Sequence, residues 1–211
     1  MPLSSAGAYR DVHLEPEQAG TTMTTQTERG PRGLLWRRIG WGAAALILLL
    51  PLITGAPWTL FDYIVAGALL GGAGLVLELV VWASGSLAYR AGAGLALAAA
   101  FLLIWVNGAV GFLGNEDNPA NLMFAGVIAV AVLGSVIAGF KAKGMAWAMS
   151  AAAAAQVSVG VIALARGWTS PGNAGLYEVV MGTSVFSAMW ILSGGLFRTA
   201  AEKATDTAVT L

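Results

Sequence analysis

Six long apolar segments, parted by short polar breaks, run through this chain at about 39–57, 59–83, 89–113, 119–140, 144–165 and 175–197. Each approaches or exceeds the roughly 20 residues that a helix, rising about 1.5 Å per residue, needs to cross some 30 Å of hydrocarbon. The sharpest break is Gly114-Asn115-Glu116-Asp117-Asn118-Pro119-Ala120-Asn121, a polar island. No charged residue lies between it and Arg90 on one side or Lys141 on the other. The island therefore reads as the turn between two spans. The pattern predicts an all-α polytopic membrane protein, with six transmembrane helices arranged as three antiparallel hairpins. Pro51 falls inside the first segment, where it removes a backbone donor and is expected to kink the helix, which membrane helices tolerate.

The ends are polar. Residues 1–33 show no apolar periodicity and no apolar core behind a short basic start, so they read as a disordered cytoplasmic tail and not as a signal peptide. Met23 reads equally as an internal residue or as the true start. The six-helix bundle is expected over 34–198 and a second cytoplasmic tail over 199–211. With the N-terminus inside, Arg10, Arg29, Arg32, Arg37, Arg38, Arg90, Lys141, Lys143, Arg198 and Lys203 all fall on the cytoplasmic side, and only Arg166 falls outside. Basic residues concentrate on the cytoplasmic side of membrane proteins, so both termini are expected inside.

Composition sharpens this. The chain is 57% hydrophobic and 10% charged, against about 25% charged for a soluble domain. A net charge of zero argues against nucleic acid as a partner. With no cysteine, disulfides, thiolate metal sites and iron–sulfur clusters are excluded. The single histidine, His13, lies in the N-terminal tail, which removes histidine metal sites and catalytic triads from the spans. No cofactor and no enzyme activity are expected.

Four carboxylates, Asp62, Glu116, Asp117 and Glu178, fall at the outer face, with Arg166 as their one counter-charge. One reading is a cation-attracting rim, since carboxylate and amide oxygens suit hard cations. The other is helix capping: Thr59-x-x-Asp62 is a capping box, Asn118-Pro119 is an N-cap with proline in first position, and Glu116, Asp117 and Glu178 lie near helix N-termini. Glu78 lies within span 2, one turn from its cytoplasmic end. An intramembrane carboxylate is costly, so it is read either as a proton or cation relay or as an ion pair with Arg90 across the Ser84-Gly85-Ser86 turn. Asn107 and Gln156 are the main amides inside the spans, lining a polar path or bonding between helices.

Small residues mark helix faces suited to close approach, Gly67-x-x-x-Gly71 with Gly74 in span 2 and Ala151–Ala155 in span 5. They serve packing within the bundle, a homo-oligomer or partner membrane subunits. Trp36, Trp41, Trp58, Trp82 and Trp168 fall near span ends as an interfacial belt, whereas Trp105 and Trp190 lie deeper. A faint repeat, Arg38-Ile-Gly-Trp-Gly against Arg90-Ala-Gly-Ala-Gly, accompanies the hairpin scheme.

Phe61-Asp62-Tyr63, Tyr89-Arg90 and Gly114-x-Glu116-Asp117-Asn118-Pro119-Ala120-Asn121-Leu122-Met123 together resemble a group of small six-span bacterial inner-membrane proteins. The likeness runs from about 39 to 197. It implies a bacterial inner-membrane setting and supplies no activity, cofactor or catalytic residue. The sequence thus leads to a non-enzymatic accessory or scaffold protein of that membrane, with a small cation transporter or channel as the alternative and the lipid bilayer as first partner.

Overall fold

The computed structural model describes residues 31–115 and 117–209. The regular elements there are helices: α1 (Pro31–Thr54), α2 (Leu60–Ala83), α3 (Leu87–Ala109), a short 3-10 turn (Pro119–Leu122) running into α4 (Met123–Ile137), α5 (Ala142–Arg166) and α6 (Asn173–Val209). Six stretches among them are long and apolar enough to cross a membrane. The chain divides into two compact units at Gly40 and Trp41. Of the first, the described part is the opening of α1, and the packing below concerns the second.

Local chemistry sets most helix ends. At α2 the capping box forms, with Thr59 Oγ1 accepting from the Asp62 N–H and Asp62 Oδ2 accepting from the Thr59 N–H at 2.7 Å. The Trp58 and Tyr63 rings meet edge to face at 5.2 Å, an aromatic clasp that holds the entry of the chain into the helix. Ser86 caps α3 by accepting from the Tyr89 N–H. α5 stops at Gly167, whose φ of 66° turns the chain left-handed. There the Trp168 N–H returns to the Ala163 carbonyl at 2.9 Å. α4 stops similarly at Gly139, but Phe140 then also takes a positive φ of 57°. The Phe140 carbonyl is held by the Tyr89 hydroxyl at 2.7 Å, and the Tyr89 ring lies edge-on to Phe197.

Four boundaries differ from expectation. α1 begins at Pro31, inside the expected tail 1–33, and ends at Thr54, so Pro51 sits in its last turn. Pro51 frees the Ile47 carbonyl four residues back, and the helix continues for three residues beyond it. α6 runs through the expected tail to Val209, because Thr199 onward is Ala-rich and holds neither Gly nor Pro to stop it. α3 ends at Ala109 although the apolar run continues to Leu113. Gly111 turns the chain with a φ of 69°, and Leu113 packs fully buried as a loop residue. Finally, Asn118-Pro119 launches the 3-10 turn first, and α4 follows from Met123. The rest of the expected N-terminal tail lies outside the described residues.

The core centres on α5, whose span is 44% buried, against 6% for α2. α5 packs most extensively on α6 and also on α4, α3 lies mainly against α6, and α3 meets α4 only lightly. The paired neighbours are thus not simply those adjacent in a three-hairpin scheme. Small residues explain the close contacts. A Cβ on Gly134 of α4 would stand 2.8 Å from that of Ala148 in α5, and one on Gly92 of α3 would stand 3.3 Å from Phe197 of α6. In hydrocarbon, van der Waals fit of this kind is the main force joining helices. Within the Ala151–Ala155 run, Ala152 and Ala153 are buried while Ala151 and Ala154 face outward. Two glycines of α2 are used as well, Gly67 facing Leu48 and Gly74 lying under the Trp41 ring, both from α1, while Gly71 of the same expected face has open space beside it.

Candidate functional site

The polar island is built by asparagine amides. Asn121 Oδ1 accepts from the Phe112 and Leu113 N–H groups at 2.9 and 2.8 Å, and its Nδ2 donates to the Asn115 carbonyl at 2.7 Å. Asn118 Oδ1 accepts from the Ala120 N–H as N-cap, and its Nδ2 donates to the Leu113 carbonyl. These bonds satisfy backbone groups of the loop beyond α3 and of the 3-10 turn, which have no helical partners. The sequence marks Asn121 only as the edge of the island. Its bonds to Phe112 and Leu113 span eight or nine residues, beyond the reach of any capping pattern.

Ser170, in the α5–α6 connection, draws a second loop to the first. Its hydroxyl lies 3.0 Å from the Gly114 carbonyl and 3.0 Å from Glu178 Oε2. A hydroxyl carries one hydrogen, so the two acceptors share it. Glu178 stands just past the first turn of α6, which starts at Asn173. Arg166 lies at the end of α5 with its guanidinium 5.9 Å from the Trp168 ring.

The carboxylates do not converge. Among the described residues no three Asp, Glu, His or Cys side chains gather closely enough to hold a metal ion. Asp62 is engaged by Thr59, Glu178 by Ser170, and Asp117 is exposed. Of the expected outer rim, Asp62 and Glu178 are thus each engaged at their own turn, and Glu116 lies outside the described residues. Asp117 instead borders a crevice of about 370 Å³ between α3 and α4, with Asn107, Ile104, Leu122 and Ile128 among its walls. Asn107 Nδ2 donates to the Leu103 carbonyl at 2.7 Å, and its Oδ1 has no protein partner.

At the opposite ends of α2 and α3, Arg90 and Glu78 each make a further contact. Arg90 donates through Nε to the Ser84 carbonyl at 2.6 Å and through Nη2 to the Val81 carbonyl at 2.8 Å. These are carbonyls at the C-terminus of α2, where helical partners run out and the helix dipole favours a cation. Glu78 Oε1 accepts from the Trp41 indole N–H at 2.7 Å, a contact 37 residues apart in sequence. Trp41, expected as an interfacial anchor, thus holds the carboxylate as well.

Gln156 lies near the middle of α5, fully buried, and neither of its amide atoms has a protein partner. The Thr183 and Ser187 hydroxyls and the Trp190 indole N–H of α6 share that condition. The sequence singled out Gln156 as a polar group and Trp190 only as a deep tryptophan; Thr183, Ser187 and Trp190 recur at helical spacing on one face of α6, a legible signal only once α5 and α6 are known to pair. The structure thus offers polar edges consumed by helix ends and an uncharged polar seam at mid-helix. Compared with protein-family models, with curated proteins and with solved structures, the chain matches none.

Proposed function

We propose that this is a non-enzymatic integral protein of the bacterial inner membrane, an accessory or scaffold component acting alone or within a larger membrane complex, with both termini in the cytoplasm. The observation that carries this reading is how the polar side chains at the helix ends are used. Asp62, Arg90, Asn118, Asn121 and Glu178 are each bonded to groups that shape a cap or a loop. Side chains so engaged hold a shape and are not poised for turnover, where an acid–base pair or nucleophile converges on a reacting atom. The apolar flank of α2 supports the same reading, since little of it is covered within the chain. The bacterial setting rests on the resemblance of the Gly114–Met123 loop to that of small inner-membrane proteins.

The test is purification in mild detergent followed by native mass measurement. A stable complex, with itself or with a second membrane protein, is the expected result. A strictly monomeric species with nothing co-purifying counts against the reading. Cation flux into liposomes that disappears in Glu78→Gln or Asp117→Asn would replace it with transport.

A further inference from the structure

The unpartnered groups of α5 and α6 fall at one level. α5 and α6 share the most extensive interface of the fold. Two close approaches fix their register. A Cβ on Gly160 would overlap the Thr183 hydroxyl and stand 2.7 Å from Thr183 Cγ2, and one on Gly194 would stand 3.2 Å from the Ala146 carbonyl. The helices therefore run antiparallel through this contact. Gln156 is one turn from Gly160 on α5, and Ser187 is one turn from Thr183 on α6, so the two face each other. Trp190 extends the same stripe by another turn.

Elsewhere most helical hydroxyls of this chain follow one pattern, while the buried Ser193 of α6 donates across to the Gly92 carbonyl of α3 at 2.8 Å. Ser135, Ser150, Ser158 and Ser184 each donate to the carbonyl four residues back, at 2.7 to 2.9 Å. Thr183 and Ser187, on either side of Ser184 in the same helix, do not, and both lie on the stripe that meets Gln156. Gln156 is 0% exposed, Trp190 1% and Ser187 6%. In hydrocarbon no outside solvent relieves such groups, and a buried donor or acceptor left unmade carries its full desolvation cost.

We infer that the α5–α6 interface encloses an internal hydration site, in which water held by Gln156, Thr183, Ser187 and the Trp190 indole N–H bridges the two helices at mid-span. The donor inventory selects the guest. Gln156 offers two N–H donors and one carbonyl, Trp190 one N–H, and the hydroxyls both donate and accept. A metal cation at this place would meet N–H groups as well as oxygens, and no carboxylate balances it. Water both donates and accepts, and a buried water makes about three hydrogen bonds. This site is distinct from the Asp117 crevice and does not depend on the scaffold reading.

The test is water-to-protein magnetisation transfer by solid-state NMR on the full chain in lipid bilayers with ¹⁵N-labelled tryptophan. The Trp190 indole signal is assigned by its loss in Trp190→Phe. Transfer to Trp190 is expected in the parent, falling by about twofold or more in Gln156→Leu as bridging partners are removed. Ser187→Ala, which removes one oxygen and adds no bulk, carries the same expectation if the leucine variant fails to fold. A Trp190 indole that receives no magnetisation from water overturns the inference, as does transfer unchanged in the variants; the first result signifies direct side-chain bonds or a dry interface.

Discussion

Asn121 joins more of the polar island than any charged residue near it. Its amide closes three bonds, to the Phe112 and Leu113 N–H groups and to the Asn115 carbonyl. Through them Phe112 is held against Phe124 and Phe186, whose rings lie 5.1 and 5.8 Å away. Asn121→Ala is expected to lose about 2 kcal/mol, near 1 kcal/mol for each net hydrogen bond less partial recovery by water at the exposed end. Asn121→Asp keeps the acceptor and loses the donor, so its midpoint should fall between those of the parent and the alanine variant. Thermal unfolding in detergent, followed by tryptophan fluorescence or by size exclusion after heating, measures both. An alanine variant as stable as the parent would remove Asn121 from this role.

Helices here are begun by local motifs and matched by small residues. Loss of the capping box in Asp62→Ala should fray the first turn of α2 and leave its middle intact. Faster amide hydrogen exchange confined to that first turn is the expected signature; uniform exchange along the helix would mean the box does more than cap. Between helices, Gly134→Ala places a methyl where the Ala148 Cβ would stand 2.8 Å away. Overpacking of this sort costs about 1–3 kcal/mol. Ala148→Gly in the same chain removes the opposing methyl and should restore most of the loss. A double-mutant cycle of unfolding free energies reads this coupling, and additive effects would show that the two helices separate freely.

At the scale of the molecule, the basic residues and the loops predict which side faces which compartment. Reporter fusions in the Gly114 and Ser170 loops are expected to read as external. Fusions at Gly85, and at Lys141 beside Lys143, should read as cytoplasmic, in line with the distribution of Lys and Arg. The opposite pattern would invert the orientation proposed above. Because the Ser170 hydroxyl ties the Gly114 loop to α6, Ser170→Ala is a further probe of this edge. It should loosen both loops together, seen as increased protease sensitivity at each.

Much of the helical plan was legible in the chain, since hydropathy is a property of each residue against its solvent and capping reaches only three or four positions. The six long apolar helices, the Thr59–Asp62 box and the Asn118-Pro119 start are of this kind. Where the apolar run misled, at 110–113, a nonlocal partner intervened: Asn121 takes the loop N–H groups and lets Leu113 leave the helix still buried, while Val110 is exposed. Arg90 was legible as a residue needing a partner, but its bonds to the Ser84 and Val81 carbonyls were not, because several acceptors lie within reach of the same turn. Trp41 with Glu78, α3 on α6, and Gln156 facing Ser187 were decided by tertiary structure alone. Among Ala-, Gly- and Leu-rich faces the apolar pattern favours no partner over another. The choice falls to shape, such as the space at Gly134, Gly92 and Gly160 that admits a neighbour and excludes a methyl.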